Sequence, residues 1–159
     1  MTDAATLLAD ATAAGRKILI VADYDCDGAT ACALGMRGLA MLGARHLDFL
    51  VPDRVVDGYG LTPGIAQRVH ATGAHVLITV DNGIASLEGV AEANRLGIEV
   101  IITDHHQQGA ELPRADELVH PRLPGTSYPF GDLCGVGVAF KLAWAICARL
   151  GDGKRASPR

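Results

Sequence analysis

Residues 18–30, Ile-Leu-Ile-Val-Ala-Asp-Tyr-Asp-Cys-Asp-Gly-Ala-Thr, limit the possible folds more than any other stretch of the chain. Ile18 to Val21 form an unbroken apolar run that leads into carboxylates at alternate positions, Asp23, Asp25 and Asp27. Gly28 follows, and then a helical segment built of small residues. A short run that is apolar throughout reads as a strand buried on both faces, as in a parallel sheet. Acids at the carboxyl end of such a strand lie on the edge where open α/β sheets bind ligands. Acids this close repel one another unless something positive lies among them. Hard divalent cations take oxygen ligands, so the stretch reads as a cation site. A single Asp would suffice to cap the next helix, and the cluster exceeds that need.

The same rhythm continues along the chain. Apolar strand segments are predicted at 17–22, 46–51, 75–80 and 98–103, with a short one at 117–120. Helices are predicted at 3–14, 30–42, 63–72, 86–96 and 135–150, with Thr62 as an N-cap and Pro63 at the first helical position. Strand and helix in alternation predict a doubly wound, Rossmann-like, mainly parallel α/β sheet with helices on both faces. At 159 residues the chain fits one domain, and 49% hydrophobic with only 4% aromatic content suits helices packed closely on a sheet. The domain is expected to occupy residues 1–150, with 151–159 a polar, basic tail. No apolar run approaches the roughly 18 residues of a membrane span, and no charged-then-apolar leader opens the chain. A cytoplasmic protein with no membrane contact is expected.

The four cysteines show neither a CxxC pair nor zinc spacing. Cys32 and Cys147 read as buried thiols inside helices. Cys26, between two acids, would point away from them if the segment stays extended. The formal charge of −4 weighs mildly against a nucleic-acid binder, less so if bound cations neutralise several acids.

Three predicted strands end in chemically loaded turns: DYDCDG, then VDNG at residues 80–83, then TDHH at residues 103–106. In a parallel sheet these ends share one edge, so segments far apart in sequence converge. The combination suits two cations about 3.5–4 Å apart, the arrangement that serves phosphoryl transfer. Histidine among carboxylates favours manganese over magnesium. Each motif has an ordinary reading beside this one. Asp81-Asn82-Gly83 alone is a good tight turn, and His105 and His106 alone are loop residues. Arg54 either binds a phosphate or pairs with Asp53 or Asp57. The GVGV glycines at 135–138 allow close helix–sheet packing, or their amides hold a phosphate. His46, His70, His75 and His120 read as structural or solvated.

Taken together, DYDCDG, VDNG and DHH resemble the DHH phosphoesterase superfamily. More narrowly, VADYDCDGATA, LVPDRVVDGYGL, ITVDNGI, VIITDHH and GVGVAFKL are similar to the RecJ-type single-stranded-DNA exonucleases, over residues 7–150. The resemblance implies a phosphodiesterase with two Mn2+ (or Mg2+) ions that removes nucleotides from the 5′ end of single-stranded DNA. It implies a setting in DNA repair and recombination, with a single-strand-binding protein and a helicase as partners. It further implies that Asp23 and Asp25 hold one ion and Asp27 the other, with Asp81 bridging both. His105 would ligate the second ion and His106 would contact the scissile phosphate, with Asp104 orienting these neighbours. Arg54 is a candidate contact to a DNA phosphate. The family also carries a metal-binding Asp in a fourth motif, a second domain and usually an oligonucleotide-binding domain, none of which follows Leu150 here. The catalytic domain is therefore expected to be incomplete at its carboxyl-terminal side, binding manganese but degrading DNA weakly.

Other readings compete. A DHH phosphoesterase acting on short oligonucleotides, cyclic dinucleotides or pyrophosphate shares the acids, but PDRVVDGYGL and GVGVAFKL favour the RecJ type. An aspartyl-nucleophile phosphatase would use Asp25 and Asp27 yet needs a later lysine on the same edge, and Lys17, Lys141 and Lys154 lie elsewhere. A receiver domain lacks its lysine after strand 5 and has no role for paired histidines. A non-catalytic remnant binding one cation is the remaining alternative.

Overall fold

In the computed structural model, which describes residues 1–150, the elements follow in the order α1 (Thr2–Ala13), β1 (Ile18–Ala22), α2 (Cys26–Met41), β2 (Leu47–Leu50), α3 (Pro63–Ala71), β3 (Val76–Val80), α4 (Leu87–Arg95), β4 (Glu99–Thr103), β5 (Glu117–Val119) and α5 (Gly135–Leu150). The strands form one sheet in the order β2-β1-β3-β4-β5, every pair parallel. The predicted tail at 151–159 lies outside the described residues.

Side chains alternate across a strand, so each strand supplies both faces. Ile18, Ile20 and Ala22 of β1 join Val76, Ile78, Val80 and Ile101 in a core covered by α1, α2 and α5. Leu19 and Val21 join Leu77, Val100 and Ile102 in a second core under α3 and α4. Every residue of β1 and β3 is buried, which is why these strands are apolar from end to end rather than alternating. Strand order reverses between β1 and β3, with β2 on one side and β3 and β4 on the other. That reversal opens a crevice at the carboxyl ends of the strands.

Helix α2 departs from the boundary expected from sequence. It begins at Cys26 rather than at residue 30, because Asp25, in extended backbone, caps it by accepting from Gly28 N at 2.9 Å. Local capping wins over extension here, so the alternation of Asp23, Asp25 and Asp27 is not a strand pattern. Cys26 sits exposed in the first helical turn, so the extended segment on which its expected orientation is conditional does not form. Cys32 is buried as expected, whereas Cys147 in α5 is only half-buried. Among the described residues no helix is long and apolar enough to cross a membrane.

Candidate metal centre

The three loaded turns meet at the carboxyl edge. β1 runs directly into Asp23, whose backbone N–H donates to Val80 O at 3.2 Å and continues the ladder past the strand. Its carboxylate is buried and accepts from Tyr24 N at 2.7 Å. Gly28 lets the first turn of α2 press against this strand end, since a Cβ there would stand 2.5 Å from Asp23 O. The same turn aims Asp27 across the edge toward α5, where Gly135 N and Val136 N donate to Oδ2 and Oδ1, each at 2.7 Å.

β3 delivers Asp81 in left-handed backbone, φ 62°, a conformation that Asp tolerates better than most residues. Its N–H donates to Thr103 O at 3.0 Å, which ties it to the end of β4. Asn82 turns back and donates from Nδ2 to Val21 O at 3.1 Å and to Val80 O at 2.9 Å, stitching β1 to β3. From β4, Asp104 is buried and saturated. Its Oδ1 accepts from His105 N at 2.7 Å and His106 N at 3.1 Å, lies 2.8 Å from His106 Nδ1, and its Oδ2 accepts from Ile84 N at 2.9 Å. One carboxylate thus shapes the whole His-His turn.

His105 Nε2 comes 3.0 Å from Asp81 Oδ1 and 3.5 Å from Asp27 Oδ2, so residues from three different strand ends share one locus. Potential ligand atoms within 4.8 Å of one another form two groups, Asp23-Asp25-Asp81 and Asp81-His105-His106. Asp81 belongs to both. It is 1% exposed, yet both its oxygens lack an aligned hydrogen bond. Burial, reinforced by the charge of Asp27, pushes its carboxyl up to about 7. Asp23 is likewise raised, first by burial, against the pull of the Tyr24 N–H. Buried acids with so few hydrogen bonds are costly unless a cation completes them. The donor set of hard carboxylate oxygens with imidazole nitrogen fits Mn2+ or Mg2+ and not a thiophilic ion.

Of the residues singled out in the sequence, Asp23, Asp25, Asp27, Asp81, Asp104, His105 and His106 are brought together here. Arg54 stands at the rim. It pairs with neither Asp53 nor Asp57; Arg68 takes Asp57 at 2.9 Å, and the Arg54 guanidinium instead lies 5.3 Å from the Tyr24 ring centroid.

Two neighbours of the site are not legible in the sequence. The Tyr59 hydroxyl lies 3.4 Å from His106 Nδ1 and 3.5 Å from Asp81 O, and its phenol is raised by burial and then by the charge of Asp23. The DGYG glycines mark its loop as irregular, and nothing local indicates that the loop folds back over the edge. His120 lies 2.9 Å from His106 O through Nε2, while its Nδ1 accepts from Arg122 N at 3.0 Å. This pattern is that of a neutral, Nε2-protonated ring, and burial accordingly lowers its pKa. Its only sequence signal is a place at the end of the short last strand. Beside His106 a cavity of about 690 Å³ opens between Tyr59, Ile84, Ser86 and Gln107.

A carboxylate-rich, imidazole-bearing centre at the switch point of a parallel sheet is suited to holding divalent cations, and the chain belongs to the DHH family. Residues 17–157 match the DHH family, N-terminal domain. The chain is similar to the single-stranded-DNA-specific exonuclease RecJ of Escherichia coli (strain K12), 46% identical over 149 residues, covering 94% of this chain and 26% of that protein. A crystal structure of exonuclease RecJ bound to manganese superposes with a TM-score of 0.83 at 39% identity, covering 94% of this chain and 38% of the other. The RecJ of Thermus thermophilus in complex with Mn2+ superposes with a TM-score of 0.79 at 36% identity, covering 94% and 21%. The chain thus spans 26% of the length of the Escherichia coli relative.

Proposed function

We propose that this chain supplies the metal-binding part of a RecJ-type nuclease that hydrolyses single-stranded DNA from its 5′ end. The observation that carries the reading is Asp81, a buried carboxylate with no aligned hydrogen bond to either oxygen, standing between Asp23 and Asp25 on one side and His105 on the other. Asp23 and Asp25 would hold one Mn2+ (or Mg2+) ion, Asp27 and His105 the other, and Asp81 both. Bound ions of this class lower the pKa of water and stabilise charge on phosphorus oxygens.

The chain's own residues supply the remainder. Asp104 fixes His106 through Nδ1, leaving Nε2 as the ring nitrogen available to a phosphate oxygen. Burial alone would lower the His106 pKa, but the hydrogen bond and charge of Asp104 outweigh it and raise the pKa. A positively charged ring therefore meets the phosphate over a wider pH range. Arg54, at the rim, contributes a second cation for the strand's backbone. A protein of the relatives' length would add the groove that holds the strand. The setting implied is repair and recombination of DNA in the cytoplasm, with a single-strand-binding protein and a helicase presenting the strand.

The test uses single-stranded DNA labelled at its 3′ end, with Mn2+ present. The 159-residue chain is expected to release nucleotides slowly, and Asp81→Ala to release none. Equal release by both proteins would overturn the site assignment. Fast release by the wild type, lost in Asp81→Ala, would show that the expected weakness is wrong and that the chain needs no further ligand.

A further inference from the structure

The metal reading gives the GVGV segment no role, yet its first two amides make the most distant contacts in the site. Gly135 N and Val136 N donate to the two oxygens of Asp27, 108 and 109 residues away, at 2.7 Å each. These N–H groups belong to the first turn of α5, which has no preceding carbonyls to bond them. The first bond within the helix is Val138 N to Cys134 O at 3.0 Å. A carboxylate is also favoured there by the positive end of the helix dipole.

How α5 comes so close is explained by the residue at 135. A Cβ on Gly135 would stand 2.4 Å from Asp81 Oδ1 and 2.8 Å from Asp81 Cβ. Asp81 cannot retreat, because it is buried, short and held at φ 62° with its N–H bonded to Thr103 O. Two residues on, a Cβ at Gly137 would meet the Leu133 side chain instead, at 2.6 Å from Cδ1 and 2.8 Å from Cγ, and no residue of the site. The two glycines therefore differ in kind. One clears a pinned carboxylate of the site, and the other clears an apolar side chain outside it.

We propose that the N-terminus of α5 is a backbone arm of the metal centre: Gly135 and Val136 fix the Asp27 carboxylate beside His105, and Gly135 is a positioning residue that lets the arm reach Asp27 past Asp81. This rests on the metal reading above. Clasped at both oxygens, Asp27 keeps one orientation, with Oδ2 turned to His105 Nε2 at 3.5 Å. Each oxygen retains a further lone pair for a cation. Loss of the clasp leaves the acid in place but free to rotate, so metal affinity should fall more than fold stability does.

The test measures Mn2+ affinity from the paramagnetic resonance of free Mn2+, beside thermal midpoints, for wild type, Gly135→Ala, Val136→Pro and Gly137→Ala. Val136→Pro removes one donor at a helical position where proline is tolerated. Gly135→Ala and Val136→Pro are expected to weaken Mn2+ binding by about 10- to 100-fold, the usual effect of losing a group that orients a ligand, with Gly137→Ala within about twofold of wild type. A second readout needs no metal. The Gly135 and Val136 amide resonances should both move upfield in Asp27→Asn, where the charged acceptor is gone. If Gly135→Ala does not fold, Val136→Pro and the amide resonances decide. Wild-type affinity in Val136→Pro, or amide resonances indifferent to Asp27→Asn, would overturn the proposal while the metal reading stands. A wild type that binds no Mn2+ would instead overturn both.

Discussion

Asp81 concentrates the cost of this fold in one side chain. Buried at φ 62° with neither oxygen in an aligned hydrogen bond, its carboxyl is pushed up to about 7 when no cation is bound, against 3.8 ordinarily. Between these values the folded chain binds a proton that the unfolded chain has released. Stability therefore falls as pH rises through this window, and the full penalty is present above about 7. Asp81→Asn keeps the shape and tolerates the backbone. At pH 8 without metal it should raise the thermal midpoint by about 5 °C, equivalent to roughly 2 kcal/mol. The same variant should show none of the upward shift that Mn2+ gives the wild type. Differential scanning calorimetry with EDTA and with Mn2+ reads both. Asp104 behaves oppositely, because its oxygens are saturated by N–H donors. Asp104→Asn turns an NH2 toward one of those donors and should cost about 2–3 kcal/mol in urea denaturation. The acids and histidines of the site are legible because they follow apolar runs. Tyr59 and His120 are not, since each reaches the site through a loop path that no local pattern encodes.

At the scale of elements, the strands can be read from their unbroken apolar runs, and the caps decide the helix boundaries. Thr62 accepts from Ile65 N at 3.3 Å and starts α3 where its Thr-then-Pro signal places it. The start of α2 is harder to read, because Asp25 serves both as cap and as member of the acid cluster, and its sequence context does not separate the two roles. Helix α4 packs against the Leu61 backbone so closely that a Cβ on Gly89 would stand 1.9 Å from Leu61 O. Alanine is the better helix former by roughly 1 kcal/mol, so on a free helix Gly89→Ala would stabilise. Here it should destabilise by about 1–3 kcal/mol, with a matching fall in the urea midpoint. Nothing in the neighbouring residues marks this glycine, because the clash is with a backbone in another part of the fold.

For the whole molecule, the parallel sheet makes the site possible. All five strands point one way, so turns after β1, β3 and β4 must share an edge, and reversal of strand order between β1 and β3 opens that edge to a ligand. The architecture is legible from the alternation of elements, while side-chain orientation on the edge is not. Away from the edge, α2 and α5 carry Met41, Phe140 and Trp144, each about half exposed, around a groove of about 310 Å³. At the edge itself, the proposed divalent ions would lie among acids that converge from separated turns. An anomalous difference map from Mn2+-soaked crystals, collected at the manganese edge, tests this most directly. The predicted result is density in contact with Asp81 and shared with Asp23, Asp25 or His105. Full Mn2+ occupancy elsewhere on the protein, with nothing at Asp81, would contradict it.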